Sequence, residues 1–332
     1  MPTSVVMVLS NRCVSIICYF LMLLSCVHGY QSSIVMTFIV RDEAVNIRAN
    51  LPLWFDSVDY YVFMVDYRTQ DDTYKAIAEV LEGKKQYRNI TYDFTGFGPA
   101  RTASLEAAWE HFPQASHVWI ADPDWRPEVD TIKLEQLDFM QRVVPQAEAF
   151  RFKIYDRNGF STRNCDWLLK HRKGLKMKYH LHETIDIGTY QHVAVDFVLH
   201  EIEKPGTWHT TVGHGNSMTG KRSLFDLDML YKDLALYDHD PHTHYYLGVT
   251  HEHVATQNSK NGIFNNDTEW HYEMALKFMN LRLRSYYKDE FTEERWGVML
   301  ALSQLLREYK VHFVSHSLPL TLKCLCSIYV FV

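Results

Sequence analysis

The chain has 332 residues, 47% hydrophobic and 14% aromatic, enough to build a packed core in one large or two ordinary domains without staples. Its 34 Lys and Arg against 40 Asp and Glu leave a formal charge of −6 with no long basic run, which argues against nucleic-acid binding by counterion release. Of its six cysteines only Cys165 lies away from the two ends, so the body has no internal disulfide framework.

The chain opens with Arg12 before an uncharged run, Cys13 to Val27, that turns polar at His28-Gly29-Tyr30. Residues 1–29 therefore read as a signal peptide cleaved after Gly29 or as an uncleaved signal anchor. Either form places the body in the secretory pathway, in the ER or Golgi lumen or outside the cell. The sequons Asn89-Ile-Thr91 and Asn266-Asp-Thr268 agree with that compartment and with a glycoprotein.

From Ser33 to about Thr131, apolar β-rich runs alternate with helix-compatible segments. Strands are expected at Ile34 to Val40, Tyr60 to Val65, Ile90 to Phe94 and His117 to Ile120, with helices at Asp72 to Leu81 and Ala100 to Glu110. The order β-α-β-α-β-α-β predicts an α/β fold with a mostly parallel sheet flanked by helices. Further strands, Phe150 to Tyr155 and Val193 to Val198, complete the sheet around a basic stretch from Lys170 to Lys178 and supply the acceptor side. The first domain thus spans 33–220.

A helical module, 221–310, follows. Leu224, Leu227, Leu230, Tyr231 and Leu234 form one apolar face, Asp238-His-Asp-Pro241 breaks the chain, and Tyr245 to Ala255 resumes it. Glu269 to Arg284 and Thr292 to Tyr309 form a second pair. Two such hairpins fit the roughly 34-residue period of tetratricopeptide repeats, whose Leu-Gly signature Tyr246-Leu247-Gly248 echoes, and equally fit a plain helical subdomain. Such a module offers a surface to a protein partner. The apolar tail, 311–332, is broken by Pro319 and Lys323 and does not read as a membrane span.

Chemistry concentrates at strand ends. Asp122-Pro-Asp124 follows a buried strand, and in an open α/β sheet the carboxyl ends of strands face the ligand crevice. Two carboxylates there suit a hard divalent cation, Mn2+ or Mg2+, bridging them to a diphosphate. The other two Asp-x-Asp triplets, Asp226-Leu-Asp228 and Asp238-His-Asp240, sit on an expected solvated helix face and in a turn. Asp66, closing the second strand, suits either a nucleoside contact or a turn. Arg101, in the first turn of a helix, suits either phosphate oxygens or the surface. Among the histidines, His251 and His253 cannot share a helical face, which disfavours zinc in the group His239, His242, His244, His251 and His253. His209 or His214 is placed to complete a cation's shell.

In order, these segments resemble glycosyltransferase family 2. Ile34 to Glu43 is similar to its opening strand and acidic cap, Val65-Asp66 to Thr73 to its nucleoside segment, Gly98-Pro-Ala-Arg101-Thr102 to its helix start, and Asp122-Pro-Asp124 to its metal-binding aspartates. Tyr179-His-Leu-His182-Glu183 resembles the His-Glu pair of relatives with C-terminal tetratricopeptide repeats. The chain departs from the pattern at Tyr67, Arg68, Thr102, Pro123 and Trp125. The resemblance implies a GT-A fold and an inverting transfer of a sugar from a UDP- or GDP-sugar to a glycan, peptide or small-molecule acceptor. In it Asp66, Arg101 and Asp122 contact the donor, Asp122 and Asp124 hold the metal, and Glu183 is the general base, with Asp186 its rival. A sugar-nucleotide pyrophosphorylase is disfavoured because Val40 to Asn46 has no glycine. The remaining alternative is a catalytically silent scaffold of the same architecture.

Overall fold

The structure is a computed structural model that describes residues 32–127, 147–155, 162–186, 191–201, 220–263, 265–284, 299 and 301–303. The leader, His209, His214, the tail and nearly all of the segment Thr292 to Tyr309 lie outside the described residues. Among the described residues no helix is long and apolar enough to cross a membrane.

Among the described residues ten strands and six α-helices follow one another: β1 (Ile34–Val40), α1 (Ala44–Asn50), β2 (Tyr60–Asp66), α2 (Thr73–Leu81), β3 (Gln86–Tyr92), α3 (Phe97–His111), β4 (His117–Ala121), β5 (Trp125–Pro127), β6 (Ala149–Tyr155), β7 (Thr162–Lys170), β8 (Met177–Lys178), β9 (Thr184–Ile185), β10 (His192–Glu201), α4 (Gly220–Leu236), α5 (Pro241–Lys260) and α6 (Asn266–Arg284). Eight strands form one sheet in the order β3-β2-β1-β4-β7-β6-β10-β5. Its first four run parallel, with Val35 opposite Tyr60 and Val118. β7 pairs antiparallel with both β4 and β6, while β10 runs parallel to β6. The result is the expected α/β fold, a mostly parallel sheet with helices on its faces followed by further helices.

Strand periodicity distributes the core. Ile34, Met36, Phe38 and Val40 point to one face, where they pack with Phe63 and Val65 under Ile47 of α1 and Ala76, Ile77 and Val80 of α2. Val35, Val62, Met64, Val118 and Ile120 point to the other, under Leu105, Ala108 and Phe112 of α3. Because both faces are covered, β1, β2 and β4 read as continuous apolar runs and were legible as such.

The observed β3 begins at Gln86 and ends at Tyr92, where the apolar run had suggested Ile90 to Phe94. As the outermost strand it keeps polar residues exposed and lacks the hydrophobic signature of its neighbours, while Phe94 leaves the strand to pack on Phe97 and Phe225. Helix α3 starts at Phe97, three residues before Ala100, because proline at its third position is compatible with a first turn.

The helices share an apolar core that reaches the α/β part, since Leu181 and Phe97 pack with Leu227, Leu230, Leu247, Val254 and Phe278. Asp240 caps α5 by accepting from the backbone N–H of His242, so the Asp-His-Asp-Pro break is a helix start. Gly248 lets α6 approach closely: a Cβ there would lie 2.7 Å from Cγ of Met279. Of the histidine group, His242, His244 and His251 are core material, while His239 and His253 are exposed. Nδ1 of His251 lies 2.8 Å from Nδ1 of His271 and its Nε2 lies 2.9 Å from the Tyr231 hydroxyl; burial, aided by His271, pushes His251 down to about 3.

Candidate functional site

The crevice forms where β1 is flanked by β2 on one side and β4 on the other, at the carboxyl ends of these strands. It is a cleft of about 380 Å³ lined by Glu43, Asp66, Arg68, Arg101, Asp122, Asp124, Trp167, His182, Glu183, Glu201, Arg222 and Phe225 among others. Asp66, Arg101, Asp122, Asp124 and Glu183, picked out in the sequence, are all on its wall. Asp186 is exposed and off that wall, with its backbone N–H on the Lys176 carbonyl.

Asp66 closes β2. Arg68 holds its carboxylate in a fork, Nε at 2.9 Å from Oδ1 and Nη2 at 2.7 Å from Oδ2, with the Arg68 backbone N–H on Oδ1. Burial would raise the Asp66 pKa, but these bonds and the Arg41 charge outweigh it and hold the group below the usual carboxylate range. The unusual Arg68 is therefore a counter-ion for Asp66.

The loop after β4 carries both aspartates. Asn50 donates to the Pro123 carbonyl at 2.9 Å, and Trp125 is buried and stacked on Trp167 at 5.7 Å. Pro123 and Trp125, which depart from the family pattern, thus pin the loop at its middle and its end. Asp124 is buried, while the Asp122 side chain keeps 22% of its surface.

Arg101 joins the two halves of the site. It lies one turn inside α3 with only 4% of its side chain exposed, donating from Nη2 to Asp122 Oδ1 at 2.7 Å and from Nε to Glu183 Oε1 at 2.5 Å. Its guanidinium lies 4.4 Å from the centre of the Trp167 ring, a cation–π contact. Burial alone would lower its pKa, but the Asp122 and Glu183 carboxylates raise it instead, so the charge is fixed. Two of its nitrogens are committed to carboxylates. The third, Nη1, is buried without a hydrogen-bond partner among the described residues.

Glu183 ends a turn that only a close approach of backbones allows. Phe97 N–H donates to the His180 carbonyl at 2.7 Å, and a Cβ on Gly98 would sit 1.8 Å from the Tyr179 oxygen, so position 98 must be glycine. Tyr179 (φ 69°) and His182 (φ 55°) are both left-handed, which for side chains without special local bonding costs about 1–2 kcal/mol each. Packing around the turn therefore has to maintain it.

Glu43 was legible as the acidic cap of β1 but not as part of the site. Asp42, left-handed at φ 54°, turns the chain so that Glu43 is buried, with Oε2 accepting from Asn46 at 2.7 Å. Burial, then the charges of Asp124 and Asp122, push its carboxyl well above the usual range. Glu201, Arg222 and Phe225 were likewise unmarked, because only folding brings the end of β10 and the start of α4 to the cleft.

Among the described residues six carboxyls, Glu43, Asp66, Asp122, Asp124, Glu183 and Glu201, face four guanidiniums, Arg41, Arg68, Arg101 and Arg222, on this wall. The surplus of acid beside Asp124 suits a cation. Among the described residues no three His, Cys, Asp or Glu side chains converge tightly enough to hold one unaided. Two aspartates with phosphate oxygens and water form the usual donor set for Mg2+ in nucleotide sites, so the residues present fit that group.

No protein-family profile and no curated protein sequence matches the chain. Solved structures with a similar fold include HddC from Yersinia pseudotuberculosis, at 12% identity over 52% of this chain and 92% of that one with a TM-score of 0.32. TarS 1-349 from S. aureus is 12% identical over 83% of this chain and 80% of that one, also with a TM-score of 0.32.

Proposed function

We propose that the chain is a glycosyltransferase that moves a sugar from a nucleotide diphosphate to an acceptor hydroxyl with inversion. The observation behind this reading is the convergence of Asp66, Asp122 and Asp124, each at a strand's carboxyl end, with Glu183 in one 380 Å³ cleft. Asp122 and Asp124 would hold Mn2+ or Mg2+, which when bound supplies Lewis-acid stabilisation of the departing diphosphate. Asp66 faces the nucleoside, exchanging its bonds to Arg68 for hydroxyl or base donors. Arg101 offers Nη1 to a donor oxygen while orienting Asp122 and Glu183. The hydrogen bond from Arg101 engages Oε1 of Glu183, leaving Oε2 to take the acceptor proton. The acceptor oxygen then bonds the anomeric carbon as the sugar–phosphate C–O bond breaks and its electron pair leaves with the diphosphate.

Calorimetric titration with UDP- and GDP-sugars, with manganese and with EDTA, tests the donor half. One nucleotide sugar is expected to bind with manganese and to lose most of its affinity when the metal is removed. Absence of binding by every donor under both conditions would overturn the reading.

The compartment proposed is the secretory pathway, supported by the two sequons: Asn89 on β3 and Asn266 at the start of α6 are both exposed and can carry glycans without disturbing the core. Enzymatic removal of N-glycans from protein recovered from its native cells should lower the mass. An unmodified chain with its leader intact, recovered from cytosol, would contradict this.

A further inference from the structure

We infer that Asp233, a residue of α4 outside the cleft, is a positioning residue for Glu183; the inference rests on reading Glu183 as the acceptor-side base. Asp233 is 1% exposed, and its carboxylate is spent on the turn just ahead of Glu183. Oδ1 and Oδ2 accept the His180 backbone N–H at 2.7 and 2.9 Å, Oδ1 lies 2.8 Å from His180 Nδ1, and Oδ2 accepts the Leu181 N–H at 3.3 Å. Bonds to an ionised acceptor are stronger than neutral ones and suit a backbone held away from its preferred conformation.

The next helix completes the grip. His242 of α5 lies with Nε2 at 3.0 Å from the His182 carbonyl, and the His182 ring stacks on Tyr246 with centroids 3.6 Å apart. Tyr179 donates its hydroxyl to Asp240 at 2.5 Å and stacks on His242. Tyr179, His180, Leu181 and His182 are thus each held by α4 or α5, including both left-handed residues, whereas the hydrogen bond described for Glu183 goes to Arg101. The helices fix the backbone from which Glu183 projects, and Arg101 fixes its carboxylate. On this reading the helical part completes the active site of the α/β part.

The test uses the full chain. Asp233→Asn keeps the shape but replaces one accepting oxygen with an amino group that cannot accept from the N–H donors. With UDP-glucose and GDP-mannose as probes in manganese, the variant should release nucleotide about 10²-fold more slowly, the loss expected of a 1 Å misplacement. Its affinity for UDP and GDP should stay at the wild-type value. Hydrogen exchange should quicken at 179–183 and remain unchanged in α1 and α2. His242→Ala, which removes the contact to the His182 carbonyl and the stack on the Tyr179 ring, should shift the same readouts in the same direction by less, and decides the matter should Asp233→Asn not fold. Wild-type turnover in the variants, or nucleotide affinity falling in step with turnover, would overturn the inference. If the wild-type chain binds neither nucleotide, the glycosyltransferase reading fails, and exchange still decides whether Asp233 holds the turn.

Discussion

Glu183→Gln is expected to lose about 10²- to 10⁴-fold in transfer rate while binding the donor as the wild type does. The amide keeps the volume and can still accept from Arg101 Nε, so the pair that orients the side chain survives, but it cannot take a proton from the acceptor. Asp186→Asn serves as the contrast. Asp186 is exposed and off the cleft wall, so its variant should transfer normally. Single-turnover transfer measured beside equilibrium donor binding separates the two quantities. Normal transfer by Glu183→Gln, with loss in Asp186→Asn, would move the base by three residues; normal transfer by both would make the turn purely structural.

Removing the aspartates should have the opposite signature. The double variant Asp122→Asn, Asp124→Asn is expected to lose manganese-dependent donor binding altogether, with Asp124→Asn the more damaging single change. The singles should also differ in stability. Asp124 is one of the charges that disfavour ionisation of the buried Glu43 carboxyl, so removing it eases that ionisation, and Asp124→Asn should melt at or above the wild-type temperature without metal. Asp122→Asn takes one of two carboxylates from the buried Arg101 guanidinium and should melt lower, since an incompletely compensated buried charge is costly. Thermal unfolding with and without manganese reads both effects. Metal-dependent donor binding that survives in the double variant would remove the metal assignment.

Much of the α/β part could be read locally. The run from Ile34 to Val40 is buried on both faces and β-rich, and the strand that forms there has those bounds. The break at Asp238 to Pro241 was legible as a break, with the helix expected from Tyr245, whereas the helix begins at Pro241 because Asp240 caps it. Helix α1 had a place in the expected order but no legible bounds, for the converse reason: at seven residues, without a side-chain cap, it is held by Ala44 and Ile47 packing on the sheet and has little propensity signal of its own. Strands β7, β8 and β9 were missed in the same way, since pairing with distant partners makes them strands.

The sequence by itself determined that Asp66, Asp122 and Asp124 stand at the ends of buried strands, and this places them in the crevice of an open α/β sheet because strand direction and connection handedness leave few alternatives. It did not determine which acid after residue 178 enters the cleft, nor what Arg101 does. Arg101 meets Asp122 across 21 residues of chain and Glu183 across 82, and Asp233 reaches His180 across 53. Such pairings depend on how α3, the 179–183 turn and α4 pack together, and no short-range pattern records them. Tertiary structure chose Glu183 over Asp186 by turning the backbone left-handed at Tyr179 and His182, a conformation those residues do not favour alone and keep here because α3, α4 and α5 hold the turn between them.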